Sequence, residues 1–317
     1  MQRIEGLVMR ATGSWYEVLH EGEVLRCRMR GKLRLRGVRS TNPVVVGDTV
    51  HCECGDDGEW VIVDIAPRHN YIIRRASNLS KESHIIASNI DRAMLVVTLV
   101  EPVTAVEFID RFLVTCEAYK VPVTILLAKI DLLRETPEMI EQFHHVYEGA
   151  GYEVIDISAT EGIGVERVKA MLSGKTSLLS GNSGVGKSTL IGAIDPTIEI
   201  RTGEISDSFH KGKHTTTFST MYRTADGFII DTPGVKGFGL IDIDDKELWH
   251  YFPEMISRAG ECKFFNCTHT HEPHCAVIEA VKREEIAFSR YESYLKILDE
   301  DDKYRKYSLA RRVARAH

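Results

Sequence analysis

Residues 181–188, Gly-Asn-Ser-Gly-Val-Gly-Lys-Ser, restrict what this chain can fold into more than any other segment. They fit the pattern G-x-x-x-x-G-K-[ST] at every fixed position. An apolar run, Thr176–Leu179, stands before them, and a helix-forming run, Thr189–Ile194, follows. The glycines allow a loop whose backbone N–H groups wrap an anion, and a helix starting where the loop ends adds favourable partial charge. The spacing therefore predicts a strand–loop–helix unit within a parallel α/β sheet. Gly181, Asn182, Ser183, Gly184, Val185, Gly186, Lys187, Ser188 and Thr189 become the candidate phosphate contacts. Lys187 is expected to reach the outer phosphates and Ser188 to hold Mg²⁺.

Other segments carry matching chemistry. Phe228-Ile-Ile-Asp231-Thr-Pro-Gly234 reads as a short strand ending in D-x-x-G. An Asp there holds Mg²⁺ through water, and a Gly lets the backbone swing toward a γ-phosphate. Between this segment and the phosphate loop lies Lys211–Thr217, with three consecutive threonines, where a Mg²⁺-closing threonine belongs. Upstream, the run Val123–Leu127 ends in Ala128-Lys129-Ile130-Asp131, and Val154–Ile157 ends in Ser158-Ala159-Thr160. These resemble the N-K-x-D and S-A-x motifs of guanine-nucleotide-binding proteins. A carboxylate at Asp131 accepts from the ring N–H and 2-amino group of guanine. Adenine lacks those donors and would leave the carboxylate buried and unpaired. The stem of Lys129 is expected along the base, and the Ala159 N–H against the guanine oxygen. Position 128 departs from the pattern, because Ala replaces the usual Asn and removes an amide that helps hold the pocket.

The order of these segments is unusual. Base-reading motifs precede the phosphate loop, whereas an ordinary GTPase has them after it. The same parallel sheet can be permuted because its site is built from the carboxyl ends of strands, whatever their chain order. Ser173-Gly174, after a predicted helix Val165–Leu172, supplies the new link.

The 317 residues allow two or three domains, expected at 1–68, 69–240 and 241–317. The first shows short β-like runs (Arg3–Ala11, Trp15–Leu19, Val24–Met29, Val50–Cys54, Trp60–Ile65) between Gly and Asp turns, the spacing of a small OB-type barrel. Arg26, Arg28, Arg30, Lys32, Arg34 and Arg36 alternate with Cys27, Met29, Gly31, Leu33 and Leu35, which places the cations on one face. Such a face is a nucleic-acid footprint, sharpened by the chain's overall net charge of −6. Asn70–Glu82 reads as a linker, Ile90–Leu99 as the first strand of the nucleotide domain, and Val103–Lys120 as a helix with Val106, Ile109, Leu113 and Cys116 on its apolar face.

The third domain is expected to be mainly helical (Ala276–Arg283, Ile286–Asp299), with a basic tail over Lys303–Arg315. Cys262-x₄-Cys267-x-His269-x₅-Cys275 packs three thiols and an imidazole into fourteen positions. That density predicts one structural zinc per chain, held by four protein ligands with no open position. His271 and His274 stand close enough in sequence to replace His269. Cys52-x-Cys54 reads as ordinary barrel packing. Seven unevenly spread cysteines argue against a disulfide framework. With no apolar run of membrane length and no signal core at the N-terminus, no membrane contact is expected and a cytoplasmic monomer is the default.

Barrel, permuted nucleotide motifs and C-x₄-C-x-H-x₅-C cluster together resemble the ribosome small-subunit-dependent GTPases, the RsgA family, over essentially the whole chain. Gly212-Lys-His214-Thr-Thr216-Thr is similar to that family's G-[RK]-H-T-T-T switch. The resemblance implies GTP hydrolysis with Mg²⁺, Thr216 as the Mg²⁺ threonine, His214 as a group positioning the attacking water, and GTP and GDP as ligands. It also implies the 30S subunit and 16S rRNA as partners in late 30S maturation, bound in the GTP state and released after hydrolysis. Val235 stands where many GTPases carry a water-orienting Gln, which implies slow intrinsic hydrolysis. The alternatives are an RNA-binding GTP switch acting outside the ribosome and a metabolic P-loop kinase. A kinase has no need of Asp131 with Ser158-Ala159.

If Asp131 reads guanine, Asp131→Asn weakens GTP binding and moves preference toward xanthosine triphosphate, since the amide then meets a carbonyl where the amino group was. Competition titrations with GTP, ATP and xanthosine triphosphate decide this, and equal binding of ATP and GTP by the unmodified chain would refute it.

Overall fold

Short β-forming runs over the first 65 positions build five strands: β1 (Arg3–Ala11), β2 (Tyr16–His20), β3 (Glu23–Met29), β4 (Thr49–Cys54) and β5 (Trp60–Ile65). The computed structural model describes residues 2–13, 15–29, 43–75, 83–198, 219–232 and 245–299. The five strands pair in the order β1-β2-β3-β5-β4 and close through β1–β4. Only β3 and β5 run parallel. This closed barrel is the OB-type architecture read from the spacing, and closure leaves no open strand edge. Ile4, Val8, Tyr16, Val18, Cys27, Val50, Cys52 and Ile62 fill it. Cys52 is a core residue, as its strand position implied. Gly6 permits β1 and β2 to approach: a Cβ there would lie 2.5 Å from Val18 Cγ1 and 2.8 Å from Leu19 O.

On the outer surface Arg26 and Arg28 share one side of β3 and sit 4.0 and 4.2 Å from the Trp15 ring centroid. Arg28 also pairs with Glu59 at 3.4 Å. The cations continuing that series, Arg30, Lys32, Arg34 and Arg36, lie outside the described residues, as does the basic stretch Lys303–Arg315.

The segment expected as a linker is instead half of a hairpin. β6 (Tyr71–Arg75) pairs antiparallel with β7 (Ser83–Ser88). Ile72 and Ile73 are buried in it, but the apolar run is too short to mark a strand without its pairing partner. Asn70 clasps the end of this hairpin: its side chain donates to Ile90 O and accepts from Ile90 N, both at 2.7 Å. Below it, buried Asp48 accepts from Arg68 Nε and Nη2 and from Ser88 Oγ, each at 2.6 Å, and so ties hairpin to barrel.

The central sheet has the order β10-β9-β8-β11-β13-β12, with β8 (Arg92–Val97), β9 (Val123–Ala128), β10 (Glu153–Ile157), β11 (Thr176–Ser180), β12 (Thr220–Arg223) and β13 (Phe228–Asp231). All neighbours are parallel except β12 with β13. A parallel sheet is buried on both faces, and successive residues here serve opposite cores. Leu95 and Val97 face α1 (Val106–Ala118) and α2 (Pro137–Gly149). Met94 and Val96 face α3 (Val165–Leu172) and α4 (Lys187–Ile194). Ile109, Leu113 and Cys116 form the buried stripe of α1 as expected, but Val106 is 40% exposed because it sits in the first turn, off the sheet.

An irregularity in β1 between Val8 and Arg10 joins barrel and sheet. Val8 points into the barrel core and Met9 into the central core, and Arg10 pairs with Thr220 of β12. One extra residue at such a bulge reverses the facing of the side chains that follow.

Beyond a 3₁₀ segment (Asp245–Tyr251) come helices α5 (Pro253–Ala259), α6 (Ala276–Lys282) and α7 over 288–299. Their core takes in Val114 of α1. Arg290 of α7, fully buried, donates to Asp110 Oδ1 of α1 at 2.6 Å and to Glu254 Oε1 of α5 at 2.7 Å. Its guanidinium also lies 4.9 Å from the Phe252 ring centroid. Among the described residues no helix is long and apolar enough to cross a membrane. Removing one member of a buried ion network strands the others without a counter-charge. Arg290→Met is therefore expected to destabilise the junction by about 3–5 kcal/mol, read as an earlier urea transition for the C-terminal helices. An unchanged transition would show that the network contributes nothing.

Candidate nucleotide site and metal centre

Four strands deliver the sequence-predicted residues to one edge of the sheet. β11 ends at Ser180 and turns through residues 181–186 into α4, which begins at Lys187. Gly181, Gly184 and Gly186 have φ of 152°, 83° and 103°. A Cβ on Gly181 would stand 2.4 Å from Val96 O of the neighbouring strand, so only glycine fits there. Val185 is fully buried and anchors the loop in the core between sheet and α4. Lys187 is folded onto its own loop, its Nζ donating to Gly181 O at 2.7 Å and Asn182 O at 2.9 Å. Ser188 and Thr189 follow it in the first turn of the helix.

Asp231 closes β13 opposite Leu179 of β11, and Thr232 N donates to Leu179 O at 3.3 Å. The Asp231 carboxyl is buried, and among the described residues its Oδ1 has no hydrogen-bond partner. Burial raises the Asp231 pKa, with Lys187 opposing the shift. Burial lowers the Lys187 pKa, with Asp231 opposing that shift in turn. A buried lysine and a buried carboxylate with an unused oxygen at a glycine-rich loop are poised for an anion and a cation respectively.

The base-reading pair sits at the far side of the same edge. β9 and β10 run parallel with Ala128 opposite Ile157, so the segments starting at Lys129 and Ser158 emerge side by side. Lys129 takes a left-handed φ of 60°, which turns the chain into the 3₁₀ segment Ile130–Leu133 carrying Asp131. Ser158 is buried; its N–H donates to Ile163 O at 3.0 Å and its Oγ accepts from Glu161 N at 3.3 Å, which shapes the loop holding Ala159. Arg134 and Glu161 pair at 2.5 Å across the two segments, a largely exposed contact of small energetic weight. Ala128 itself is 5% exposed and packs in the core as a methyl group, with no polar role. His214, Thr216 and Gly234 lie outside the described residues.

The sequence reading overlooked the loop 98–104 after β8, which reaches both halves of the site. Lys129 Nζ donates to Glu101 O, and Pro102 Cδ lies within 3.5 Å of where a Cβ on Gly184 would be. It matches no nucleotide motif, so only the fold exposes it.

The cysteine–histidine cluster is assembled as a compact group. The ligand atoms of Cys262, Cys267, His269 and Cys275 all lie within 4.8 Å of one another. His269 Nδ1 faces the sulfurs, 3.6 Å from Cys262 Sγ and 3.4 Å from Cys275 Sγ. Four ligands around a tetrahedral zinc stand roughly 3.5–4 Å apart, so the set fits that ion. His271 and His274 are exposed and take no part in the cluster, which leaves His269 as its imidazole. Ala276 N and Ile278 N donate to Cys262 Sγ and Cys275 Sγ at 3.3 and 3.5 Å, the pattern that supports thiolates. Burial lowers the His269 pKa, which favours the neutral ring a metal ligand needs. Burial pushes the Cys267 thiol up to about 12, so charging it calls for a cation within the group.

Surrounding contacts hold this shape. Tyr291 and Tyr294 hydroxyls donate to His269 O and Thr268 O at 2.8 and 2.6 Å. Burial works against charge on Glu272, but donors from Thr268 and His271 hold its carboxyl well below the usual range.

Comparisons with known proteins follow this geometry. A family model described as RsgA GTPase matches residues 65–241, and one described as RsgA N-terminal domain matches residues 5–62. The chain is 51% identical over 307 residues to small ribosomal subunit biogenesis GTPase RsgA 2 of Bacteroides thetaiotaomicron, covering 95% of this chain and 99% of that one. It is 48% identical over 305 residues to the RsgA of Flavobacterium johnsoniae, covering 94% of each. Among solved structures, YjeQ from Thermotoga maritima aligns with a TM-score of 0.75 at 34% identity, over 94% of this chain and 98% of that one. YloQ, titled a circularly permuted GTPase, aligns with a TM-score of 0.70 at 29% identity, over 96% of each chain.

The Gly181 contact gives a sharp test. Gly181→Ala forces its Cβ into Val96 O and is expected to abolish nucleotide binding in equilibrium titrations. Gly192→Ala on α4, where a Cβ meets nothing within 4 Å, leaves binding intact and stabilises the helix by about 0.5–1 kcal/mol. Unimpaired binding by Gly181→Ala would mean that the loop adopts another backbone path.

Proposed function

The chain belongs to the RsgA GTPase family and hydrolyses GTP, and from that premise we propose that it acts in late maturation of the small ribosomal subunit, bound to 16S rRNA with GTP and released after hydrolysis. The observation that supports the nucleotide part of this reading is the shared sheet edge: residues 181–188, Asp231, Lys129–Asp131 and Ser158–Ala159 follow neighbouring strand ends there, although the chain visits β9 and β10 first. The names of the relatives point the reading toward the small subunit.

In this reading Asp131 accepts from guanine, Lys129 lies along the base, and the Ala159 N–H meets the guanine oxygen. The N–H groups of residues 181–189 wrap the phosphates. Lys187 leaves Gly181 O and Asn182 O for the outer phosphates, trading two carbonyl partners for a charged one, which is the stronger hydrogen bond. Ser188, Thr216 and the Asp231 carboxyl, whose Oδ1 has no partner among the described residues, would hold Mg²⁺, which would supply charge neutralisation for the phosphates. His214 positions the attacking water, and Gly234 lets the following segment respond to the γ-phosphate.

Residues 1–68 serve as the RNA-binding barrel, with the Arg26–Arg36 face on the phosphate backbone. Residues 69–240 form the GTPase unit and 241–317 the zinc-bearing unit. The chain works as a cytoplasmic monomer. A zinc ion would have a structural role, since Cys262, Cys267, His269 and Cys275 would hold it with four protein ligands.

Two measurements test this reading. With Val235 in place of a water-orienting Gln, hydrolysis by the chain alone is slow, and 30S subunits raise it strongly, by ~10³-fold where a partner completes the site well. His214→Ala keeps GTP binding but loses most of the stimulated rate. Absence of stimulation at low salt would shift the reading to a switch acting outside the ribosome. Purified protein carries about one zinc per chain by elemental analysis, and Cys267→Ser loses it while nucleotide binding persists. Freshly prepared, reduced protein without zinc would remove the metal from the account.

A further inference from the structure

A single turn of backbone lies between the two halves of the nucleotide site, and no recognised motif covers it. Residues 98–104 leave the carboxyl end of β8, the strand between β9 and β11. The loop is closed on itself. Thr98 N donates to Thr104 Oγ1 at 3.0 Å, Thr104 N donates to Thr98 O at 2.8 Å, and Thr98 Oγ1 donates to Pro102 O. Thr98 and Thr104 are 0% and 4% exposed, so these bonds form in a dry setting where loss of either partner is felt. Such a loop presents Glu101 and Pro102 at its tip in one arrangement.

The tip meets the site on two sides. Toward the base, Glu101 O accepts from Lys129 Nζ. Toward the phosphates, Pro102 packs against the loop at Gly184, its Cδ within 3.5 Å of a Cβ built there. The contacts form one chain from Lys129 through Glu101 and Pro102 to Gly184. Position 128, where the usual guanine-reading motif has an Asn that helps hold the pocket together, offers only a buried methyl group.

We propose that the 98–104 loop is a positioning strut that takes over from the side-chain amide missing at position 128, holding the Lys129 stem against the base and fixing its distance from the phosphate loop. Pinning the ammonium at Glu101 O freezes a four-carbon stem that otherwise loses its freedom only when nucleotide binds. The ordering is done beforehand, and affinity gains by that amount. Thr104 acts through Glu101 and Lys129 and touches no substrate.

This inference rests on Lys129–Asp131 being the base pocket, and its test is separable from the test of that pocket. Affinity is measured by titrating a fluorescent GDP analogue into the full chain, beside thermal melts. Thr104→Val, isosteric but without the acceptor, is expected to weaken GDP binding about tenfold, the worth of ordering one long side chain, with little change in melting temperature. Lys129→Met, which keeps the stem and loses the pin, is expected to lose about as much. The double variant then loses about tenfold as well, because both changes break one connection. Ala128→Asn restores most of the lost affinity in the Thr104→Val background. If Thr104→Val does not fold, Pro102→Ala, at an exposed position, takes its place in the same cycle with the same expectation. Normal GDP affinity in the folded loop variant, losses that multiply to about a hundredfold, or no restoration by Ala128→Asn would each overturn the strut. The base preference of Asp131→Asn reports on the pocket alone, so a failed strut with an intact shift to xanthosine leaves the pocket standing.

Discussion

The parallel pairing of β8 with β11 is the joint on which the nucleotide site depends. Ser177 through Ser180 lie beside Arg92 through Leu95, and this register alone brings β8–β10, which carry the candidate base-reading turns, against β11–β13, which carry the candidate phosphate loop. The chain reverses direction across the sheet at this seam, running from β8 out to β10, back over α3, and on from β11 toward β13. Such a switch point opens a crevice at the carboxyl ends of the strands, which is where an α/β sheet binds its ligand. The seam tolerates permutation because neither half needs to come first. It does not tolerate a side chain at Gly181, because there the loop backbone lies against β8 itself.

Polar contacts buried at the junctions then decide how the parts are fixed. Asp48 with Arg68 and Ser88 ties the barrel to the β6–β7 hairpin, and Arg290 with Asp110 and Glu254 ties the C-terminal helices to α1. Buried charges of this kind add little net stability over apolar packing, yet they accept one geometry only. The cysteine–histidine group is braced by Tyr291 and Tyr294 of the same helix that carries Arg290. The cysteine–histidine group and the central sheet are thus connected through α7 and α1, in addition to the covalent path after Asp231.

Local chemistry made much of this legible in the sequence. Short β-like runs between Gly and Asp turns outlined all five barrel strands to within a residue or two, because each strand is brief and ends where the chain must turn. The strand–turn–helix over 176–194, the strand ending at Asp231 and the turns after β9 and β10 were readable since each needs particular residue types at short spacing. The density of Cys262, Cys267, His269 and Cys275 marked a cluster able to hold a metal, while the choice among His269, His271 and His274 waited for the fold: spacing allows all three, and only His269 is turned inward.

What the sequence determined by itself is therefore the set of local units and their order: barrel, base-reading strands, phosphate loop, cysteine–histidine cluster. Their signals are covalent neighbours within one turn or strand, where sterics and hydrogen bonding act over a few residues. Tertiary structure alone decided the rest. It made a strand of Tyr71–Arg75 by supplying Ser83–Ser88 as partner, and turned Val106 to solvent. It set Arg290 on Asp110, 180 positions away in the chain, and laid Glu101 and Pro102 between Lys129 and Gly184. None of these residues is unusual in its own surroundings. Their roles come from packing and charge pairing between distant segments, and those forces exist only once the sheet has brought the segments together.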